Sequence, residues 1–519
     1  MYKLVIPTAG LGSRIGPYTK FKNKALVSVG DEPAIARVID QFPNAEEVIV
    51  LLGYEGDSVK DALELIFPDK NLRFIDVNPY QGEGSGLGVT LNHARDYLQC
   101  PFIFTPNDTI ITDLNFSEPA VTENWLVYYE KSADDGYRVD DYRTISIKNG
   151  LVSKIHNKGD GTGHIYTGLC GIHDFNEFWV AMKADIALSV GEVVGLSALD
   201  DVKAIESKEW FDCGNLQSLR KTKKNFAAKD HEILEKEDEA IWFVKDRVIK
   251  FSKSQSFISD RIERLNFLPK KMLPNVLERK KHCYSYEKVD GEVFTNVLNS
   301  SLVKTLLDCM QKNVWSNCSG SLDQSILKEF YEIKTKERVN LYHGKYEFLD
   351  REIVVNDVKT PVFQKLLDNY DWDSINAKAL PGGFHGDFHN ENILVNEGKF
   401  KLLDWRQNFG SQNYSVGDVY YDLAKFMHGL IVSHPIVNKE LFEVNWLTET
   451  KVEINIHNSL RLSLGKRAFE VWLVENGYDV DHVNVMAALI FANIAALHEQ
   501  PYGEFLYLLS RYLLANGEL

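Results

Sequence analysis

Three polar side chains, each framed by strand-like apolar runs, supply the first chemical lead. His385 and Asp387 form a His-x-Asp within Phe384-His385-Gly386-Asp387-Phe388, Asn392 stands five residues after that Asp, and Asp404 closes the run Lys401-Leu402-Leu403. Phosphoryl transfer needs such a set: a carboxylate to receive the proton of an attacking hydroxyl, plus an amide and a second carboxylate to hold Mg²⁺ on the phosphates. On that reading Asp387 is the base, Asn392 and Asp404 hold the metal, and His385 supports the loop. A surface turn decorated by the same residues is the bland alternative; three roles at matching spacing weigh against it.

The order His-x-Asp, Asn, Asp is that of the protein kinases, and here it resembles the aminoglycoside phosphotransferase and choline kinase group of small-molecule kinases. The resemblance implies a two-lobed, α+β, protein-kinase-like domain that uses ATP. It puts Lys250, in Val248-Ile249-Lys250, in the place of the lysine on the α- and β-phosphates. Glu263 takes the place of that lysine's partner, and Glu287 lies at the hinge where adenine meets backbone groups. Lys250 and Glu263 as unpaired surface charges stays open. Gly417-Asp418-Val419-Tyr420-Tyr421-Asp422-Leu423-Ala424-Lys425 resembles the Asp-x-x-x-Asp-Leu-Ala helix of these kinases. Its first Asp suits a helix N-terminus, so Asp418 is expected to be structural. Residues 236–239 contain no glycine, so a protein-kinase-type Gly-rich loop is absent.

A second constellation lies near the start. The apolar run Leu4-Val5-Ile6-Pro7 leads into Thr8-Ala9-Gly10-Leu11-Gly12-Ser13-Arg14, with Lys24-Ala25-Leu26 ten residues on. Glycines let backbone N–H groups approach phosphate oxygens, and an arginine adds a charged clamp. Neither a Rossmann fingerprint nor a Walker loop is present. The pattern resembles the nucleotidyltransferase family that makes nucleotide sugars and CDP-alcohols. The family's usual Pro before the lysine is replaced here by Asn23.

That resemblance implies that Ala9, Gly10, Gly12 and Arg14 hold the NTP phosphates while Lys24 offsets charge at the α-phosphate. Gln81 and Gly86, in a second glycine cluster, would contact base and ribose, and Asp108 and Asp212 would hold Mg²⁺. Asp212 as a helix N-cap and Lys24 as an ordinary surface lysine remain open. Lys158 is equally readable as an acceptor-phosphate contact or a solvated loop lysine. Alternating strands and helices predict a Rossmann-like α/β domain with a mostly parallel sheet.

The bulk properties narrow the partners. A chain of 519 residues is long enough for two domains. Its net charge of −16 argues against non-specific nucleic-acid binding. Six scattered cysteines without a Cys-x-x-Cys pair fit reduced thiols in a cytoplasmic protein. No signal peptide is evident, and the longest apolar run, 486–497, is too short for a bilayer and is expected to be a buried helix. Membrane insertion and nucleic-acid partners are therefore not expected; homo-oligomerisation is left open.

The basic-to-acidic charge swing near 220–239 marks a boundary, giving a nucleotidyltransferase domain over 1–228 and a kinase domain over 229–519, with lobes at about 229–292 and 293–519. The expected protein is bifunctional. The kinase half phosphorylates a small-molecule hydroxyl with ATP, and the other half transfers a nucleotidyl group from CTP or UTP onto that phosphate. A transferase regulated by a catalytically silent, kinase-like sensing domain is the alternative.

Overall fold

Strands covered on both faces read as near-continuous apolar runs, and three of them lie side by side with the half-exposed Leu72–Asp76 at their edge. Lys3–Pro7 pairs in parallel with Glu47–Leu52 and with Phe102–Phe104, and Glu47–Leu52 in turn with Leu72–Asp76. Strand alternation then serves two cores. Leu4, Ile6, Val48 and Val50 pack with Ile35, Ile39 and Leu63, whereas Val5, Ile49 and Leu51 pack with Leu91, Phe178 and Trp179. The computed structural model describes residues 2–116, 121–132, 136–161, 163–226, 237–317, 320–410 and 414–516. The expected boundary at 228/229, and Cys318, lie outside them; the other five cysteines are free thiols.

The described chain divides into two compact units, Met1–Ile258 with Val276–Glu287, and Ser259–Asn275 with Lys288–Leu519. In the first, the sheet has nine strands, in the order Leu72–Asp76, Glu47–Leu52, Lys3–Pro7, Phe102–Phe104, His164–Ile172, Trp125–Glu130, Lys203–Ser207, Leu151–His156, Thr144–Lys148. His164–Ile172 runs antiparallel to both its neighbours, while Lys203–Ser207 is parallel to Trp125–Glu130. The expected α/β architecture is present, and its unbroken parallel run is the first four strands. A separate two-stranded ribbon sets Asp212 opposite Thr109, which brings two distant carboxylate segments together.

The first unit also contains a four-stranded antiparallel sheet, ordered Glu239–Val244, Arg247–Ser252, Cys283–Glu287, Val276–Arg279. Its first two strands form a hairpin around Lys245-Asp246, pairing Val244 with Arg247. This sheet shares the core of Leu4 and Leu63 through Trp242, Ile249 and Phe251. Polar contacts add to that packing: the Trp242 indole donates to Ser28 Oγ at 3.2 Å and the His282 amide to Asp61 at 2.8 Å. Lys280 pairs with Glu64 at 2.9 Å, and Lys253 with Glu55. The segment expected as the small lobe of the kinase is thus packed on the transferase helix Gly56–Ile66.

The second unit is mainly helical. Val419–Ile431, Leu460–Glu475, Val480–Ala495 and Tyr502–Asn516 enclose Phe388, Phe426, Phe469 and Trp472. Residues 486–497 fall largely in a buried helix, and no described helix is long and apolar enough to cross a membrane. The stretch 293–380 has helical spacing over 302–310, 326–335 and 361–368, but it also contains the hairpin Ile353–Val355 with Val358–Thr360. Its two-residue turn, Asn356-Asp357, has φ of 47° and 65°, the positive values that suit a right-twisted hairpin. That hairpin is completed into a four-stranded sheet by Lys451–Ile456 and Phe442–Thr448.

Candidate active sites

In the first unit the Gly-rich loop leaves Lys3–Pro7 and turns at Gly12, whose φ is 67°. A Cβ there would lie 2.9 Å from both Lys24 Cβ and Thr19 Cγ2, so glycine is required by conformation and by space alike. Asn23 holds this loop to the lysine turn. Its buried amide donates to the carbonyls of Thr8 at 2.8 Å and Tyr54 at 2.5 Å, and its oxygen accepts from the Ala25 amide at 2.9 Å. A proline could make none of these bonds; the residue that departs from the family pattern is the bracket of the loop.

Lys24 forms an ion pair with Asp108, and both side chains are mostly buried. Asp212 is buried too, accepting from the Tyr142 hydroxyl at 2.8 Å and the Gly214 amide at 2.9 Å. A Cβ on Gly214 would lie 2.8 Å from Asp212 Oδ1 and 3.0 Å from Asp108 Oδ2, so the two carboxylates converge on one backbone position. Burial, and then the charge of Asp108, push the Asp212 carboxyl above its ordinary value, with Lys24 pulling the other way. Asp212 is not a helix cap: Asn215 caps Leu216–Asn225 by accepting from the Ser218 amide at 2.9 Å. Two converging hard-oxygen donors with an under-compensated charge fit a site for Mg²⁺.

Lys158 is pushed below its ordinary value by partial burial and by the charges of Arg14 and Arg143. The charges of Asp141 and Asp212 act on it in the opposite sense. Ala9 is buried and its carbonyl accepts from the Tyr54 amide at 3.0 Å. Gln81 is exposed beside Gly82, whose φ is 78°. Gly86 serves packing, since a Cβ there would meet the Leu188 carbonyl at 2.3 Å. Lys250 is buried, and the carboxylate beside it is Glu239, at 3.6 Å across the hairpin. The expected partner, Glu263, belongs to the other compact unit, where it is exposed and accepts from Asn266 at 3.4 Å. Glu287 is the last residue of its strand, opposite Arg247.

In the second unit, Asp422 organises the His-Gly-Asp loop from below. Its carboxylate accepts from the amides of His385 at 2.7 Å and Gly386 at 2.6 Å, and from the Trp315 indole at 3.0 Å. Burial raises this carboxyl to about 6 against those bonds. Gly386 has φ of 86°, and a Cβ there would lie 2.5 Å from Arg406 Cβ. Asp418 caps the helix Val419–Ile431 through the Tyr420 amide and also accepts from the Leu380 amide and the Tyr331 hydroxyl. His385 is fully buried, with its imidazole lowered to about 4, and accepts from the Asp387 amide at 3.3 Å.

Asp387 is bound by Lys425 Nζ at 2.9 Å, and its carbonyl accepts from Asn392 Nδ2 at 2.9 Å. Burial acts to raise its carboxyl, but the charges of Lys425 and His389 prevail and hold it well below the usual carboxylate range. These neighbours favour its ionised form. Lys425 lies three residues after Asp422 on the same helix face, and the sequence reading assigned it no role. Asp404 sits at φ 53° and pairs with the buried Arg261. His389 bridges to Glu391 at 3.0 Å.

Residues 4–118 match the MobA-like NTP transferase domain, and residues 337–437 match the phosphotransferase enzyme family. The chain joins a nucleotidyltransferase domain to a phosphotransferase domain. Among curated relatives, a UTP–glucose-1-phosphate uridylyltransferase from Staphylococcus haemolyticus is 23% identical over 30% of this chain and 61% of its own length. A second, from Staphylococcus saprophyticus, is 28% identical over 27% of this chain and 56% of its own. The chain thus spans little more than half the length of these relatives. A solved UDP-glucose pyrophosphorylase from Acinetobacter baumannii is 18% identical, covering 44% of this chain and 93% of its own, with a TM-score of 0.37. The transferase match contains the Gly-rich loop, Lys24, Gln81, Gly86 and Asp108; the phosphotransferase match contains Asp387, Asn392, Asp404 and Lys425.

Proposed function

We propose that the two domains catalyse successive steps: ATP-dependent phosphorylation of a small-molecule hydroxyl, then nucleotidyl transfer onto the new phosphate with release of pyrophosphate. The observation that carries this reading is the presence of two separate carboxylate centres, Asp108 and Asp212 beside Lys24, and Asp387 beside Lys425.

In the transferase domain, an acceptor phosphate attacks the α-phosphorus of an NTP in line. Lys24 leaves Asp108 to meet charge developing on the α-phosphate, while Arg14, with Lys158 and Arg143 near it, steadies the phosphates. Mg²⁺, when bound by Asp108 and Asp212, neutralises phosphate charge and orients the leaving group. In the phosphotransferase domain Asp387 takes the hydroxyl proton and Lys425 holds it in place. Asn392 and Asp404 offer the hard oxygens that suit Mg²⁺.

The uridylyltransferase relatives favour UTP and a sugar 1-phosphate as the second-step pair; CTP with an amino alcohol or polyol phosphate is the other option. An activated sugar or alcohol of either kind would serve surface polysaccharide or head-group synthesis. Two sites on one chain raise the effective concentration of the shared intermediate. The Arg261–Asp404 pair favours a second reading, in which the phosphotransferase domain only senses substrate and regulates the transferase. One experiment separates them: the four NTPs with Mg²⁺ are screened against candidate alcohols and sugars, with ADP and pyrophosphate read independently. Bifunctionality requires ADP with a free hydroxyl acceptor and pyrophosphate with its phosphate. Pyrophosphate without ADP across the panel would leave the sensing reading standing.

A further inference from the structure

The phosphotransferase loop contains donors that base chemistry does not use. Among the described residues, His389, Glu391 and His434 form the one group of three whose ligand atoms all lie within 4.8 Å of one another, and each side chain is partly accessible. His389 Nδ1 is 3.0 Å from Glu391 Oε2, and the two rings are centred 5.5 Å apart. Glu391 is fixed from its other oxygen, which accepts from the His434 amide at 2.9 Å and the Thr295 hydroxyl at 3.1 Å. We infer that His389, Glu391 and His434 form a binding site for one divalent transition-metal ion of the zinc class.

The donor chemistry selects the ion. Two imidazoles and one carboxylate are the borderline ligands that Zn²⁺ accepts as a three-residue set with an open fourth position, and they are poor ligands for Mg²⁺ or Ca²⁺, which prefer oxygen. Bonds of about 2.0–2.2 Å at tetrahedral angles separate ligand atoms by roughly 3.4 Å, so small side-chain rotations close the group. Three observations limit how far these side chains must move: His389 and Glu391 are two residues apart on one turn, His434 begins the helix His434–Asn438, and Glu391 already bonds to both residues.

Occupancy has a consequence that rests on the phosphotransferase reading above. His389 Nε2 lies 3.0 Å from Asn392 Nδ2 and 3.8 Å from Asp387 Oδ2. A metal on Nδ1 would fix the ring with a proton held permanently on Nε2, within reach of both the Asn392 amide and Asp387 Oδ2. That N–H would compete with Mg²⁺ for the Asn392 oxygen and with the substrate hydroxyl for the Asp387 carboxylate. Zinc is therefore expected to lower phosphoryl transfer and to leave nucleotidyl transfer untouched.

The test uses the full chain stripped of metal. Zn²⁺ is titrated in competition with a chromophoric chelator, and Co²⁺ loading is followed by its visible absorption. One equivalent is expected to bind, with affinity reduced at least about tenfold in Glu391→Gln and in His434→Gln; melting curves establish that both variants fold, and Glu391→Gln keeps the acceptor for the His434 amide. Absence of a bound equivalent, or binding unchanged in both variants, overturns the site. In the activity arm, one equivalent of zinc lowers ADP formation and His434→Gln relieves it. ADP formation insensitive to a bound equivalent overturns the link through His389 Nε2. A chain that forms no ADP with any acceptor defeats the phosphotransferase reading, and the binding titration still decides the site.

Discussion

Asp212, which is buried, and Asp387, which is partly accessible, are the carboxylates at the two candidate sites, yet their surroundings push them in opposite directions. Asp212 faces a second carboxylate, Asp108, and its own contacts are a hydroxyl and backbone or side-chain amides; its carboxyl is raised. Asp387 has an ammonium at 2.9 Å and an imidazole behind it, and its carboxyl is held low. The first centre sets two carboxylates against one ammonium, Lys24, the balance that a bound cation would restore. The second sets an ammonium directly on its carboxylate, the balance that a general base would need. Burial alone would raise both; the neighbouring charge decides the sign.

The largest effect that tests this contrast is on the base. Asp387→Asn is expected to lower ADP formation by roughly 10²–10⁴-fold and to leave pyrophosphate release from a supplied phospho-acceptor unchanged. Retained ADP formation would remove Asp387 from its role. Next in size, Lys24→Ala should lower pyrophosphate release by roughly 10²–10³-fold with ADP formation intact; loss of both activities would contradict two independent centres.

A smaller effect, up to ~10²-fold on ADP formation, is expected for Lys425→Met, and its signature is a pH profile. Asp387 is held below its ordinary value, so its charge contributes stability above that value, which is lost as pH falls through the lowered one. Without Lys425 the carboxyl rises, and the acid limb of ADP formation moves to higher pH. An unshifted limb would show that Lys425 does not set the charge of Asp387. The smallest effect concerns Asp212. With its value raised, metal-free stability is present below the ordinary carboxylate value and is lost as pH rises from there through the raised one. Asp212→Asn should therefore raise the metal-free melting temperature at neutral pH by roughly 2–4 °C and abolish the stabilisation that Mg²⁺ gives the unaltered chain. A lower melting temperature in that variant would break the comparison.

Much of both centres was legible because their motifs are local. His385, Asp387 and Asn392 occupy one loop, and the Gly-rich turn and Lys24 lie close together in the chain, so their proximity was legible from spacing. Glu239 escaped because its place beside Lys250 depends on hairpin register: Ile241 sits opposite Lys250, and Glu239 two residues before it on the same face. Asn23 was noticed only as a departure from a pattern, since its function is to bond two carbonyls, one of them 31 residues away. The hairpin at Asn356-Asp357 was overlooked in a stretch read as helical, although its Val-Val-Asn-Asp-Val run carried both the β-branched and the turn signals.

The amino-acid sequence by itself determined which chemistry each half could perform, because phosphate chemistry demands glycine, lysine and carboxylate at spacings that the backbone geometry dictates. Only the tertiary structure decided how those groups are charged and what they lean on. Asp108 and Asp212 are 104 positions apart and meet only through the Thr109–Asp212 pairing and the space left by Gly214. The sheet bearing Lys250 packs into the transferase core through Trp242 and Phe251. Electrostatic environment and core membership are sums over neighbours, and neighbours distant in the chain are chosen by packing.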